Sequence, residues 1–155
     1  LIMDYRKTLN KPVIPLSRAL SFVARTHAGD LDNNYVLSKN CNLNSWSKKG
    51  KWTPCCYTSD HKRADCMWDN PRELTSYPAD GFEVVYWKPS DLTPEGALEK
   101  WKNNPLNNEV ILNTGEWEEE RWEAIGVGIF RGFATVWLGK LPDPDGEPGI
   151  PGTTP

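Results

Sequence analysis

Cys41, Cys55, Cys56 and Cys66 fall inside one stretch rich in Asn, Ser, Lys and Thr. An even number of thiols confined to a loop-rich segment is the pattern of a disulfide framework, which forms where the surroundings are oxidising. A ring closed between the adjacent Cys55 and Cys56 would be strained. That leaves Cys41–Cys55 with Cys56–Cys66, or the crossed pairing of Cys41 with Cys56 and Cys55 with Cys66. The same thiols, with His61, could instead be read as a zinc site. Structural zinc takes paired ligands two to four residues apart, however, and adjacent cysteines followed by a long step to Cys66 break that spacing.

The histidines offer less. His27 lies among Leu20, Val23, Ala24 and Leu31 at helical spacing, the setting of a hydrogen-bonded core histidine rather than a ligand. His61, in Ser59-Asp60-His61-Lys62-Arg63, reads as a solvated helix start capped by Ser59 or Asp60. No Gly-x-Ser-x-Gly elbow and no His-Glu-x-x-His helix occurs. Asp143, Asp145 and Glu147 are carboxylates spaced by two, which suits Ca²⁺, but they are too few for its coordination shell. The acidic run Glu116-Trp117-Glu118-Glu119-Glu120-Arg121-Trp122-Glu123 is expected to be a solvated face with its tryptophans turned inward, with a cationic partner as the sharper alternative.

The elements that position these groups follow from periodicity and punctuation. Leu1 to Leu9 is a short helix stopped by Asn10 and Pro12. From Leu16 the apolar residues recur at three- and four-residue steps until Asn33 and Asn34. Gly81 to Trp87 is aromatic and β-branched between Pro78 and Pro89, hence a strand. Thr93 and Pro94 open a helix that buries Ala97, Leu98 and Trp101, and Asn104 and Pro105 repeat the signal for a shorter one that carries Val110, Ile111 and Leu112 inward. Trp122 to Phe130 and Ala134 to Leu138 read as an antiparallel hairpin turning near Arg131-Gly132. Gly126 and Gly128 share one face, where a helix or another backbone can approach closely. After Leu141 the sequence turns to Pro, Gly, Asp and Thr, so residues 1–141 are expected to form the domain and 142–155 a linker or tail. Glu147-Pro148-Gly149-Ile150-Pro151-Gly152 imitates a collagen triplet but is too short for a triple helix.

Composition sets the outer limits. At 155 residues the chain fits one domain, and its eight tryptophans, five tyrosines and four phenylalanines supply buried mass despite a hydrophobic content of 38%. A net charge of −3 with scattered cations gives no footprint for nucleic acid. No apolar run approaches the roughly 20 residues of a membrane-spanning helix, and nothing ahead of Leu1 reads as a signal peptide. Starting at Leu rather than Met, the chain reads as a mature form or an excised piece.

Taken in order, Tyr5-Arg6-Lys7, the helix Pro15-Leu16-Ser17 through Ala24-Arg25-Thr26-His27-Ala28-Gly29-Asp30-Leu31, the later helix ending in Trp101, Asn107-Asn108-Glu109-Val110-Ile111-Leu112 and Ala124-Ile125-Gly126-Val127-Gly128 resemble the CAP superfamily of cysteine-rich secretory, antigen 5 and pathogenesis-related 1 proteins, in a bacterial-like branch. The resemblance spans residues 1–141. It implies a three-layer α-β-α sandwich with a mainly antiparallel sheet, and a secreted or cell-surface location. Family members place two histidines and two acids in a cleft that can hold a metal. Here the first histidine position falls on Asn44 and the second on Asn107, the Gly-Glu-Asn glutamate on Glu83, one residue of register from Phe82, and a second acid position on Asn104. Glu73 could point into the same cleft or form a surface ion pair.

An asparagine has no imidazole nitrogen, so both exchanges remove the ligands Zn²⁺ prefers, and neither Zn²⁺ nor Ca²⁺ is the expected cofactor. The expected activity is that of a binding module for a small molecule, lipid, glycan or protein. A metal-assisted, peptidase-like hydrolase working from Glu83 with His27 or His61 is the first alternative, and a spacer domain within a larger extracellular protein the second.

Overall fold

Strands β1 (Gly81–Trp87), β2 (Ala124–Phe130) and β3 (Phe133–Gly139) form an antiparallel sheet in the order β1-β3-β2. The computed structural model describes residues 1–36 and 38–149. Successive side chains of a strand point to opposite faces, and register decides which layer each one meets. Val84 lies opposite Val136 and Phe82 opposite Leu138. With Ala134 and Ile125 these four enter one core, shared with Trp101, Ile111 and Leu112. The alternate row, Glu83 opposite Trp137 and Trp137 opposite Gly126, faces the other way.

Helices α5 (Pro94–Lys102) and α6 (Pro105–Leu112), with α1 (Ile2–Thr8), cover the first face. Thr93 Oγ1 accepts from Gly96 N–H and Asn104 Oδ1 from Asn107 N–H, so both helices start where their capping residues dictate. Arg6 ties α1 to α6. Only 2% exposed, its guanidinium donates to the carbonyls of Pro12 and Ile111 and to Asn113 Oδ1. Among the described residues its charge is thus met by oxygen dipoles without a carboxylate, and burial lowers its pKa from the ordinary value.

Helix α2 (Arg18–Asn34) covers the second face. Ser17 caps it by accepting from Leu20 N–H, and Leu16 remains exposed outside the buried stripe. An added Cβ on Gly126 would stand 2.0 Å from the Leu20 carbonyl carbon, and one on Gly128 2.4 Å from that of Ala24, so the helix backbone rests directly on the sheet. Thr135 Oγ1 donates to the Ala24 carbonyl across the same contact. The result is the expected α-β-α sandwich with a core on each side of the sheet.

The cysteine segment packs beside α2 and takes the crossed pairing, Cys41–Cys56 and Cys55–Cys66. Two short helices that sequence reading did not anticipate, α3 (Asp65–Trp68) and α4 (Asn70–Leu74), follow it. The helix start expected at Ser59 or Asp60 is absent: Asp60 Oδ1 instead accepts from Thr58 Oγ1 and Lys62 N–H, His61 takes φ +57°, and the helix begins at Asp65. This local side-chain turn competes successfully with the helix.

In the acidic run, Trp122 is buried and Trp117 packs edge-on against Phe82, while Glu120 pairs with Lys140 and Arg121 with Glu123. Past Leu141, the described residues 143–147 are bound to the body. Asp143 Oδ2 accepts from Ser17 Oγ and Ala19 N–H, Asp145 Oδ2 from Ser76 Oγ, and the Gly146 carbonyl from Arg18 N–H. The collagen-like segment runs past Gly149, outside the described residues.

Candidate functional site

Glu83 sits mid-strand on the face turned toward α2, beside Trp137 of β3. His27 projects from the buried stripe of α2, four residues past Val23. The two meet where helix and sheet are in contact: Nδ1 of His27 lies 2.5 Å from Oε2 of Glu83, and both side chains are 0% exposed. The residue-level exposure of Glu83, 8%, therefore belongs to its backbone. Oε1 accepts from Asn44 Nδ2 at 2.9 Å. The other ring nitrogen of His27, Nε2, lies 3.0 Å from the Ser45 carbonyl oxygen.

Both ring nitrogens of His27 thus face acceptors, and only imidazolium donates from both. Burial by itself would lower the pKa of this histidine. The charge and hydrogen bond of Glu83, the Ser45 carbonyl and the charge of Asp30 together outweigh burial and raise it. The ring also stacks on Trp46, with centroids 4.2 Å apart and planes 8° from parallel, which places a cation on an indole face. Trp46 is held in turn by edge contacts with Trp52 and Trp137.

Asp30, one turn beyond His27 on α2, fastens the same loop. Oδ2 accepts from Ser47 N–H, and Oδ1 from Ser47 Oγ and Asn34 Nδ2. Tyr57 N–H donates to Ser45 Oγ, and the Tyr57 hydroxyl pairs with Nδ1 of the exposed His61 at 2.8 Å. Burial first, then the charge of Glu83, raises the pKa of that phenol.

Of the residues singled out in the sequence, Asn44 and Glu83 come together. Asn104 serves as the N-cap of α6, and Glu73 Oε1 accepts from Thr53 N–H and Oγ1, so it fastens the cysteine segment rather than facing a cleft. Asn107 lies in the first turn of α6, half-buried; among the described residues it makes no hydrogen bond to Asn44 or Glu83. Among the described residues no group of three or more His, Cys, Asp or Glu side chains is arranged to hold a metal ion.

Asp30 and Trp46 are members of the cluster that sequence reasoning did not assign to it, and His27 was joined to Glu83 only in the hydrolase alternative. A usable signal existed: His27 and Asp30 put an imidazole and a carboxylate one turn apart on a stripe that is otherwise apolar.

Beside the cluster a cavity of about 390 Å³ opens between the C-terminal half of α2 and the disulfide-bonded loop. Tyr35, Ser45, Trp46, Cys55 and Cys56 line it, with Lys48 and Arg63 contributing cations and Asp30 a carboxylate. Glu83 and Asn44 are not among its lining residues.

Two solved structures share this architecture. An extracellular protein containing an SCP domain from Bacillus anthracis is 17% identical, with a TM-score of 0.60 over 90% of this chain, which spans 38% of that protein's length. An outer surface protein from Borrelia burgdorferi is also 17% identical, with a TM-score of 0.58 over 90% of this chain and 86% of the other. No family model matches the sequence, and no curated protein matches it. The fold is accordingly of the SCP, or CAP, type. Among the described residues no helix is long and apolar enough to cross a membrane.

Proposed function

We propose that this chain is a secreted or cell-surface CAP-like domain that binds a small polar ligand through the cavity between α2 and its disulfide-bonded loop, without a metal. The observation that carries this reading is the saturation of Glu83: one carboxylate oxygen is taken by His27, the other by Asn44, and the side chain has no exposed surface. A general base or metal ligand needs an accessible lone pair in reach of its target. Glu83 instead anchors the loop that forms one wall of the cavity.

The disulfides favour an oxidising, extracytoplasmic setting, and both structural neighbours are extracellular or outer-surface proteins. The cavity has the size of a small-molecule site and combines aromatic planes with hydroxyl and cationic groups. The lining carboxylate of Asp30 is taken up by Ser47 and Asn34, and Lys48 and Arg63 outnumber it, which favours a ligand that carries an anionic group.

Two titrations test the reading. Soluble glycans, sterols and lipid vesicles, each class in neutral and anionic form, are titrated into the protein; binding of an anionic member that weakens in Lys48→Glu and Arg63→Glu is the expected result. No binding across the panel, together with measurable peptide or ester turnover, would sink it. Calorimetry with ZnCl₂ is expected to give no tight uptake. Tight uptake that disappears in Glu83→Ala would restore the hydrolase reading.

A further inference from the structure

Cations are scattered along the chain as a whole, yet the stretch between Asp32 and Asp65 holds six of the eighteen, with one of the twenty-one acids. The remainder holds twelve cations against twenty acids. A negative body thus carries one strongly positive segment, a distribution that repels a polyanion from most directions and steers it to that segment.

The positive charge is available. Lys39, Lys48, Lys49, Lys51 and Arg63 are exposed, and among the described residues no carboxylate stands within ion-pair distance of them. The sixth cation, Lys62, pairs with Asp60 at 3.5 Å. Two carboxylates reach the segment from outside, and both are taken by neutral donors: Asp30 by Ser47 and Asn34, Glu73 by Thr53. The backbone that carries the cations is already fixed. Cys41–Cys56 fastens the stretch after Lys39, Cys55–Cys66 closes around Arg63, and Trp46 and Cys55 exchange backbone hydrogen bonds between them. A ligand spread over this surface therefore orders side chains but no loop.

The cations are not confined to the cavity. Lys48 and Arg63 line it, Lys49 and Lys51 continue from Lys48, and Lys39 stands two residues before Cys41, another lining residue. A flat bilayer does not follow a path from a concave site onto its surroundings. Among the described residues between Asp32 and Asp65, Val36 is also the one exposed large hydrophobic, less than an interfacial anchor takes. Bases of a nucleic acid would need a free aromatic plane, whereas Trp46 is 3% exposed with one face covered by His27. Asn34, Ser45 and Ser47 line the cavity with amide and hydroxyl groups, which match the hydroxyls of a sugar.

We propose that the anion taken by the cavity is one unit of an anionic polysaccharide, a sugar chain bearing carboxylate or sulfate groups. Lys48 and Arg63 hold that unit, and Lys39, Lys49 and Lys51 hold its neighbours along the chain. This rests on the reading of the cavity as an anion site and names the class of ligand it takes.

Calorimetric titration with galacturonate, as monomer and as long oligomer, tests the proposal, alongside dextran sulfate, neutral dextran, phosphatidylglycerol vesicles and duplex DNA. The oligomer is expected to bind about tenfold tighter than the monomer, or more, beyond the statistical factor of its unit count. Its affinity should fall steeply with added NaCl. The triple variant Lys39→Ser, Lys49→Ser, Lys51→Ser should lose that gain and keep the monomer affinity, with an unchanged far-UV circular dichroism spectrum. Lys48→Glu with Arg63→Glu should weaken both. The galacturonate and dextran sulfate arms separate carboxylate from sulfate as the preferred group. Monomer binding without a chain gain would overturn this proposal and leave the cavity reading standing, as would a gain that survives the triple variant. Chain binding indifferent to Lys48→Glu and Arg63→Glu would take the cavity out of the site, and both readings would fall. Equal binding of neutral dextran, or binding of vesicles or DNA alone, would also overturn the proposal.

Discussion

The imidazole of His27 and the carboxylate of Glu83 form an ion pair with no solvent contact, joining the longest helix to the first strand. Taking both charges out of water is costly, and what offsets the cost is that each polar atom has a partner: Ser45 for Nε2, Asn44 for Oε1. Removing one partner leaves the other charge stranded. Glu83→Ala is therefore expected to cost roughly 3–5 kcal/mol of unfolding free energy in guanidinium denaturation. The double variant His27→Phe with Glu83→Leu should cost clearly less than the sum of the two single changes. Simple additivity would mean the pair is not coupled.

The same pair sets a pH dependence. The folded-state pKa of His27 is raised above its unfolded value near ~6.5, so its stabilising contribution is complete below that value and declines as pH rises through the folded pKa. Stability is expected to fall on moving from mildly acidic to mildly alkaline buffer. In Glu83→Gln the histidine loses the charge that holds its proton, burial then dominates, and the slope should reverse. Denaturation midpoints across that pH range, with NMR titration of the His27 ring, check both signs.

Gly126→Ala and Gly128→Ala would each push a methyl group into the α2 backbone, which has no rotamer with which to yield. A loss of roughly 1–3 kcal/mol or more is expected for each, because overpacking against main chain must shift the whole helix. Gly29→Ala, where an added Cβ meets nothing, serves as the control and should leave the melting temperature nearly unchanged.

Replacing Cys55 and Cys66 together by alanine opens a closure of sequence separation 11 and is expected to cost about 2–4 kcal/mol. Because Cys55 also pairs by backbone with Trp46, the indole stacked on His27 should loosen as well, read as a shift in tryptophan fluorescence. Peptide mapping by mass spectrometry should recover Cys41 with Cys56 and Cys55 with Cys66.

Asn104→Ala should remove a helix cap worth about 1 kcal/mol and leave any ligand affinity unchanged. A change in ligand affinity would place Asn104 in a binding site after all.

Much of the fold could be read from the sequence because local signals and tertiary packing agree. Thr93-Pro94 and Asn104-Pro105 start helices as caps should, and the β1 run between two prolines is a strand. Gly126 and Gly128 signalled the close approach of a helix or another backbone, and α2 is the element that makes it. The disulfide pairing was not legible, because spacing cannot separate two sterically allowed connectivities. Helices α3 and α4 escaped because each has at most five residues, shorter than a periodic pattern needs. The cluster was partly legible: the family resemblance put Asn44 and Glu83 side by side, and they do hydrogen-bond, but the pairing of Glu83 with His27 depends on how α2 is rotated over the sheet. Asn104, Asn107 and Glu73 were drawn toward a cleft by analogy of position, whereas a cap and a loop contact account for Asn104 and Glu73.

The cap that Asp143 supplies to α2 has a consequence for how the chain is made. Asp143 accepts from Ala19 N–H and from Ser17 Oγ, across a sequence distance of 124 to 126 residues, so the first turn of the longest helix is completed by a group near the end of the described chain. During synthesis that helix leaves the ribosome early with only its local Ser17 cap, and Ala19 N–H waits for its acceptor until the last strand and the segment beyond it have followed. A fragment cut after Leu141 would keep every strand and helix of the sandwich yet lack this closure. Its α2 should fray from the end that the intact chain seals.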